Sequence, residues 1–147
     1  MEMILLIGIP ATGKSSFCRE KFFHTHIRLN LDMLGTHHRE KLLLDACLAG
    51  KIKFVVDNTN LSLAERTRFI APAKAAGFRV AGYFFESKVA DAVRRNQSRP
   101  KGERIPEKAI PGASNRLELP SIAEGYDELF FVRLAGDNQV TVEKWQP

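Results

Sequence analysis

Residues 3–16 read Met-Ile-Leu-Leu-Ile-Gly-Ile-Pro-Ala-Thr-Gly-Lys-Ser-Ser, an apolar run that leads directly into a glycine-rich segment. From residue 8 onward the segment matches every fixed position of the phosphate-binding pattern G-x-x-x-x-G-K-[ST]. Five consecutive apolar residues favour a strand buried on both faces, and Phe17, Cys18 and Phe22 favour a helix that packs back on it. The order strand, loop, helix is the context in which this motif binds phosphate.

The residue types of this loop suit a bound nucleotide. Gly8 and Gly13 let backbone N–H groups approach phosphate oxygens, where a Cβ would collide with the ligand. The helix that begins near Lys14 adds the positive end of its dipole. We expect Lys14 at the β- and γ-phosphates and the Ser15 hydroxyl on Mg²⁺. The predicted nucleotide-binding residues of the loop are Gly8, Ile9, Pro10, Ala11, Thr12, Gly13, Lys14, Ser15 and Ser16.

Size and charge narrow the class of protein. A chain of 147 residues with 44% hydrophobic and 27% charged residues is typical of one globular domain. No apolar run is long enough to span a membrane and no basic leader precedes the first strand, so we expect a cytoplasmic protein without membrane contact. The net charge is +5, and the segment 88–116, with eight basic and three acidic residues, accounts for all of it. Such an excess favours a polyanionic partner.

Cysteines and histidines do not form a metal-binding pattern. Cys18 and Cys47 lie on apolar helix faces without C-x-x-C spacing, so we expect two reduced core thiols. Four histidines fall in the early loops without the i, i+4 spacing of a metal-binding helix face, and we expect them at the surface or in the substrate cleft. They are His24, His26, His37 and His38.

Strand and helix patterns alternate after the loop. Strand patterns cover residues 27–31, ending at Asp32, then 53–57, 79–85, 128–134 and an edge segment at 140–145, which follows a turn at Gly136, Asp137 and Asn138. Helix patterns cover 33–49 with a stop at Gly50, 62–76 with a cap at Ser62, a kink at Pro72 and a stop at Gly77, and 87–96. This alternation predicts an α/β fold with a mostly parallel central sheet flanked by helices.

The segment after residue 96 is less regular. Pro100, Gly102 and Pro106 break residues 97–106, for which we expect a small mobile lid loop. A further helix is expected after Pro106, continuous only from Ala113, and a capped turn at 120–124. We interpret residues 1–147 as a single domain.

Polar residues follow the predicted strands where a parallel sheet binds its ligands, beyond the carboxyl ends. Asp32 follows the second strand, and Asp57, Asn58, Thr59 and Asn60 follow the third. The sequence therefore predicts that these side chains share one cleft with the loop.

With these residues in place, the chain resembles the kinase domain of 5′-hydroxyl polynucleotide kinases, both the phage enzyme and the animal DNA-repair enzyme. The likeness lies in five blocks that span nearly the whole chain in order: residues 8–15, 30–32, 56–60 with Arg66 behind them, 95–99 and 118–126. The resemblance implies a kinase-like P-loop fold and transfer of the γ-phosphoryl group of ATP, with Mg²⁺, to a 5′-hydroxyl of DNA or RNA.

The resemblance also implies roles for single residues. Asp32 matches the general base that accepts the proton of the attacking hydroxyl, and a carboxylate near the γ-phosphate suits in-line attack. Asp57 matches a second acidic residue, which could hold a water of the Mg²⁺ shell or orient Arg99. Arg99 matches a lid arginine that clamps the donor phosphates, with Arg95 one helical turn before it. Lys14, Asp32 and Arg99 are thus the predicted catalytic residues.

One position departs from the family pattern. The family carries an arginine three residues after the base, where it contacts the acceptor's phosphate, and this chain has Gly35 there. Arg39, His37 or His38 could take over from the neighbouring turn. The predicted acceptor-binding residues are Arg39, Asn58, Thr59 and Asn60.

Other kinds of phosphate-loop protein remain alternatives. A GTPase is disfavoured because no Asn-Lys-x-Asp follows, although residues 32–35 match Asp-x-x-Gly. Small-molecule kinases that act on gluconate, shikimate or antibiotics share the size, loop and lid, and the arginine-poor acceptor site that Gly35 indicates would suit an uncharged acceptor. A third alternative is a nucleotide-binding regulatory module without turnover.

Overall fold

The computed structural model describes residues 1–135 and 139–145, and its centre is a six-stranded sheet. The strands are β1 (Glu2–Ile7), β2 (Ile27–Leu29), β3 (Phe54–Asp57), β4 (Arg79–Phe85), β5 (Glu128–Ala135) and β6 (Gln139–Lys144). They lie in the order β2-β3-β1-β4-β5-β6, with parallel pairs throughout except for β6, which runs antiparallel to β5 at the edge. The predicted α/β fold with a mostly parallel sheet is confirmed.

Helices connect the parallel strands and cover the sheet. They are α1 (Lys14–Phe22), α2 (Leu31–Leu34), α3 (His37–Gly50), α4 (Leu63–Ala75), α5 (Val89–Gln97) and α6 (Ala109–Arg116). Single 3-10 turns cover Lys101–Glu103 and Ile122–Glu124. None of the helices in these described ranges combines the length and apolar character needed to cross a bilayer.

Strand β1 forms the middle of the core, because its side chains are buried alternately on the two faces of the sheet. Met3, Leu5 and Ile7 pack into one apolar cluster, and Ile4 and Leu6 pack into another. The first cluster also contains residues of α3 and α4: Leu44, Cys47, Phe69, Ile70 and Ala73. The second contains residues of α1: Phe17, Cys18 and Phe22. Helices on both faces therefore fix the strand that leads into the loop.

Both cysteines are free and buried, as expected. Burial raises the pKa of Cys18 to about 11 and raises the pKa of Cys47 as well. Neither thiol therefore carries reactive thiolate near neutral pH.

The region around Asp32 differs from the sequence prediction. Strand β2 ends at Leu29 rather than at Asp32, because the Asn30 side chain accepts a hydrogen bond from Met33 N and caps α2. Asp32 thus lies in the first turn of a short helix. The predicted helix 33–49 is divided at Gly35, whose φ of 90° ends α2.

Other boundaries also differ by a few residues. Thr36 caps α3, which runs through Gly50, and Lys51 takes the left-handed position with φ 56° that we had expected of Gly50. Helix α6 begins at Ala109 rather than at Ala113, because Pro111 falls in its first turn, where the missing N–H is tolerated. Helix α4 begins at its predicted Ser62 cap. The predicted turn at 136–138 lies outside the described residues.

Candidate active site

A cavity of about 550 Å³ lies at the carboxyl ends of β1, β2 and β3. The phosphate-binding loop forms one wall, and residues of α2, α3, α4 and the segment after α5 form the others. Its lining residues are Pro10, Ala11, Gly13, Lys14, Ser15, Ser16, Asn30, Leu31, Asp32, His37, Glu40, Asp57, Asn58, Thr59, Asn60, Glu65, Arg68, Phe69, Arg99 and Ile105. The sequence prediction that the strand ends and the loop share one cleft therefore describes this cavity.

The loop glycines fit the fold for a reason that the motif alone does not give. Gly8 and Gly13 have φ values of 153° and 93°. A Cβ at Gly13 would lie 2.9 Å from Cδ1 of Leu134, and one at Gly8 would lie 3.1 Å from Cβ of Phe85. Both glycines thus let the loop pack closely against β4 and β5.

Lys14 is buried within the loop. Its Nζ donates to the carbonyl oxygen of Ile9 at 2.6 Å and to Thr12 Oγ1 at 3.3 Å. Burial lowers the pKa of Lys14 to about 7, nearby Asp57 opposes this shift, and Arg99 adds to it. The ammonium charge is therefore poorly stabilised by the protein alone and suits a site that receives an anion.

Three of the predicted loop residues support the loop from behind. Gly8, Ile9 and Thr12 are not among the described residues that line the cavity. The Thr12 hydroxyl donates to the Ile9 carbonyl at 2.9 Å, and Gly8 N donates to the Thr59 carbonyl at 3.0 Å. These bonds hold the loop in shape and tie it to the end of β3.

Asp57, at the end of β3, is the centre of a polar cluster. Its Oδ2 accepts hydrogen bonds from Ser15 Oγ at 3.0 Å and from Arg28 Nε at 2.8 Å. A hydroxyl and a carboxylate beside a phosphate site are the hard oxygen ligands that Mg²⁺ prefers, so the residues present fit this ion. Arg28 was missed by the sequence reasoning because β2 carries it to Asp57 only once the sheet forms.

Asp32 reaches the cavity through a turn that two asparagines fasten to β3. Asn30 Nδ2 donates to the Asp57 carbonyl at 2.6 Å, and Leu31 N donates to Asn58 Oδ1 at 2.8 Å. The Asp57 carbonyl and the Asn58 side chain, both at the end of β3, thereby fix the position of the Asp32 turn.

The wall formed by α3 and α4 contains residues that the sequence reasoning missed. Glu40 is only 2% exposed and faces Arg68 Nη2 at 3.6 Å and His37 Nδ1 at 3.5 Å. Phe69 adds an apolar surface to the same wall. No local signal marks Glu40, because an acidic residue in the first turn of a helix normally serves the helix dipole at the surface.

The side chain of Arg39, a predicted acceptor-binding residue, reaches back to the end of α2. Its Nη1 donates to the Leu34 carbonyl at 3.1 Å and lies beside Gly35. Arg39 and His38 are not among the described lining residues, whereas His37 is. The arginine at this wall is Arg68, which comes from α4.

The cavity is also lined by Asn58, Thr59 and Asn60. The two asparagines make hydrogen bonds to other parts of the protein as well. Asn60, with φ 48°, donates from Nδ2 to the Leu6 carbonyl at 2.7 Å. Asn58 donates from Nδ2 to Glu40 Oε2 at 3.0 Å. Their amide groups are therefore largely occupied by partners within the chain.

The two arginines predicted to bind the nucleotide, Arg99 and Arg95, occupy different positions. Arg99 is half-buried and lines the cavity near Lys14, whereas Arg95 donates from Nη1 to the Ala11 carbonyl at 3.2 Å and is not among the described lining residues. The Asn96 side chain bonds both the N–H and the carbonyl of Ile105. This pair closes the base of the loop that carries Arg99.

Residues 3–120 match a family model described as "AAA domain", which is well over half of the chain. The chain belongs to this AAA-domain family. Among curated relatives, the AAA-domain chain is 25% identical over 129 residues to the "Bifunctional polynucleotide phosphatase/kinase" of Schizosaccharomyces pombe. The match covers 85% of this chain and 32% of that protein, so the chain spans about a third of this relative's length.

Two solved structures show the same fold as this AAA-domain chain. Kti12 of Chaetomium thermophilum, in complex with ADP-AlF3, is 18% identical with a TM-score of 0.66 over 93% of this chain and 90% of that one. A gluconokinase from Sinorhizobium meliloti is 18% identical with a TM-score of 0.64 over 91% and 83%. The family match and the shared fold support a P-loop domain with a kinase-like fold, whose cavity lies beside the phosphate-binding loop.

Proposed function

We propose that this AAA-domain protein transfers the γ-phosphoryl group of ATP to a hydroxyl group of an acceptor. The observation that supports this most directly is one cavity lined by Lys14, Asp32 and Arg99 together with the phosphate-binding loop. A protein that only binds nucleotide needs neither a carboxylate opposite the loop nor an arginine from a separate segment.

In this proposal the loop N–H groups, Lys14 and Arg99 hold the β- and γ-phosphates. The acceptor oxygen attacks the γ-phosphorus and its proton passes to the Asp32 carboxylate, while the bond to the β–γ bridging oxygen breaks and ADP leaves. Lys14 and Arg99 offset the negative charge that develops on the phosphate oxygens. Arginine suits this task because its planar fork binds two phosphate oxygens at once.

The same proposal assigns Mg²⁺ to Ser15 and Asp57. The Ser15 hydroxyl would hold the ion directly and Asp57 through a water molecule, at the place where the two side chains lie 3.0 Å apart. The ion would offset charge on the β- and γ-phosphate oxygens when bound.

A polynucleotide 5′-hydroxyl is the first candidate acceptor. The likeness to the fission-yeast phosphatase/kinase supports it, as does the net charge of +5. Because the chain spans only a third of that relative, we carry over the kinase step alone. Asn58, Thr59 and Asn60, at the end of β3, would lie beside the acceptor.

A small-molecule acceptor is the second candidate, and a feature of the cavity favours it. The walls from α2, α3 and α4 contribute three carboxylates, those of Asp32, Glu40 and Glu65, beside the single guanidinium of Arg68. Such a wall would repel a phosphate next to the attacking hydroxyl and would suit a neutral, hydroxyl-rich acceptor. The gluconokinase neighbour shares the fold on which a small-molecule acceptor site could be built.

We also propose that residues 97–106 act as a lid within a single kinase domain of residues 1–147. The Asn96–Ile105 pair would fix the base of this loop, and Arg99 would move with it onto the phosphates.

The deciding experiment is transfer of labelled γ-phosphate from ATP, with Mg²⁺, to parallel acceptors. The panel contains 5′-hydroxyl DNA and RNA oligonucleotides, nucleosides, neutral sugars and the anionic sugar acid gluconate. We expect label in the oligonucleotides, and label in the sugars alone would select the second candidate. Label in no acceptor of the panel, with ATP bound, would contradict the proposed transfer and favour a regulatory nucleotide-binding module.

A further inference from the structure

Glu40 is an unusual residue for the first turn of a helix. Glu40 is 2% exposed although it lies in the first turn of α3, where acidic residues normally face solvent. A buried carboxylate costs stability unless hydrogen bonds and opposite charges surround it. The partners that Glu40 has acquired therefore indicate what it does.

Those partners fall on two sides. Glu40 Oε2 accepts a hydrogen bond from Asn58 Nδ2 at 3.0 Å. Glu40 Oε1 faces Arg68 Nη2 at 3.6 Å and His37 Nδ1 at 3.5 Å, so it also carries the charge that balances this part of the wall. One carboxylate thus connects the end of β3 with α3 and α4.

The contact with Asn58 fixes the direction of an amide. An ionised carboxylate only accepts hydrogen bonds, so it selects the NH2 end of Asn58. The other end, Oδ1, is then turned toward Leu31, whose N–H it accepts at 2.8 Å. Leu31 directly precedes Asp32 in the four-residue helix α2. Glu40, Asn58 and Leu31 form one continuous chain of hydrogen bonds.

We propose that Glu40 is a positioning residue for Asp32 and acts through the side-chain amide of Asn58. Without the carboxylate, the Asn58 amide can rotate and Oδ1 no longer has to face Leu31 N. Asn30 still anchors the turn to the Asp57 carbonyl, so the turn loosens without unfolding. This inference rests on the proposed role of Asp32 as the proton acceptor.

The first test does not depend on activity. In Glu40→Gln the amide can donate as well as accept, so it no longer selects one end of Asn58, and Glu40→Ala removes the contact. We expect amide hydrogen exchange at Leu31 to be faster by about tenfold in both variants, because its bond to Asn58 opens. Exchange at Val56, in the middle of β3, should stay unchanged. Unchanged exchange at Leu31 in both variants would overturn the proposal.

The second test measures the reaction with whichever acceptor the panel identifies. We expect kcat to fall about tenfold in Glu40→Gln while the KM for ATP stays within about twofold, because only the base turn is displaced. In an Asp32→Ala background the same substitution should cause no further loss, because the two residues act as one unit. An equal further loss in that background would overturn the proposal.

A matched control lies on the same helix. Asp45 is exposed on α3 and pairs with Lys41 at 3.0 Å, so Asp45→Asn removes a carboxylate of similar sequence context without touching Asn58. It should change neither Leu31 exchange nor kcat. If neither Glu40 variant folds, Asn58→Ala removes the middle residue of the hydrogen-bonded series from Glu40 to Leu31, at a half-buried position. It should give the same faster exchange at Leu31 and the same fall in kcat. Lack of transfer in the wild type would instead refute the proposed function, and Leu31 exchange would still decide the role of Glu40.

Discussion

The donor half of the cavity, formed by the phosphate-binding loop at residues 8–16, and the acceptor half, formed by the Asp32 turn and the wall from α3 and α4, are held in place by different kinds of contact. Around the loop, the contacts of Lys14 and Thr12 join residues at most five positions apart. Around the Asp32 turn, the contacts join distant parts of the chain, 27 positions from Leu31 to Asn58 and 18 from Asn58 to Glu40. The donor half thus takes its shape from a local motif and is tied to β3, β4 and β5 by a few longer-range contacts, whereas the acceptor half depends mainly on contacts between distant parts of the chain.

This difference has a consequence for substrate range. A loop that is fixed by its own backbone keeps the same phosphates in the same place. A wall made of side chains from α2, α3 and α4 can change its acceptor by substitutions at positions such as Arg68 or Phe69 without altering the donor site. Chains that share this fold could therefore share ATP and differ in acceptor.

The largest effect is expected on the free energy of unfolding, when the buried cation behind the acceptor half, Arg66, is removed. Arg66 is fully buried, donates to the carbonyls of Asn60 and Leu61, and pairs with Glu124 at 2.8 Å. Arg66→Ala strands a buried carboxylate and two carbonyls, so the free energy of unfolding should fall by about 3–5 kcal/mol. Urea denaturation would measure it.

Arg133→Ala is the control for this prediction. Arg133 lies on β5 with a side chain that is 56% exposed, and its ion pairs are at the surface. We expect a loss below about 1 kcal/mol for this variant. Equal losses for Arg66→Ala and Arg133→Ala would show that long-range ties do not hold the acceptor half.

Asp32→Ala should impair the acceptor half and leave nucleotide binding by the donor half nearly intact. Turnover is expected to fall by about two orders of magnitude, because the proton of the acceptor loses its base. ATP affinity, measured by calorimetry, should change by less than about twofold, since the loop is held locally. Parallel loss of both quantities would mean that Asp32 supports the loop and is not a base.

Arg99→Lys tests whether the segment after α5 belongs to the donor half. Lysine keeps the charge but lacks the planar fork, so kcat should fall about tenfold. Arg95→Lys is the matched control one turn earlier, where the side chain donates to the Ala11 carbonyl instead of lining the cavity, and its effect should be smaller. The reverse order of the two effects would assign the clamp to Arg95.

The same contrast explains what could be predicted from the sequence. The strand, loop and helix of residues 2–22 follow from a local motif and from burial, and the fold class follows from alternating patterns. Asp32 lines the cavity from the first turn of α2 and not from the end of a strand, because the capping by Asn30 depends on β3 beside it. Glu40 and Arg28 could not be found, since their partners Asn58 and Asp57 are 18 and 29 positions away.

The smallest expected effect is on the pH dependence of ADP affinity, which follows from the charge of Lys14. Burial lowers its pKa to about 7, and bound phosphates would raise it by supplying the opposite charge. Below pH 7 the ammonium is present before and after binding, so affinity is highest there. Above pH 7 the free protein has lost the proton and must regain it on binding, so ADP affinity should fall about fivefold between pH 7 and pH 8.

Calorimetry at pH 8 in buffers of different ionisation enthalpy should show proton uptake, and Lys14→Arg, which stays charged, should abolish it. Constant affinity over this range without proton uptake would mean that the loop stabilises the Lys14 ammonium by itself, and the donor half would then be complete before nucleotide arrives.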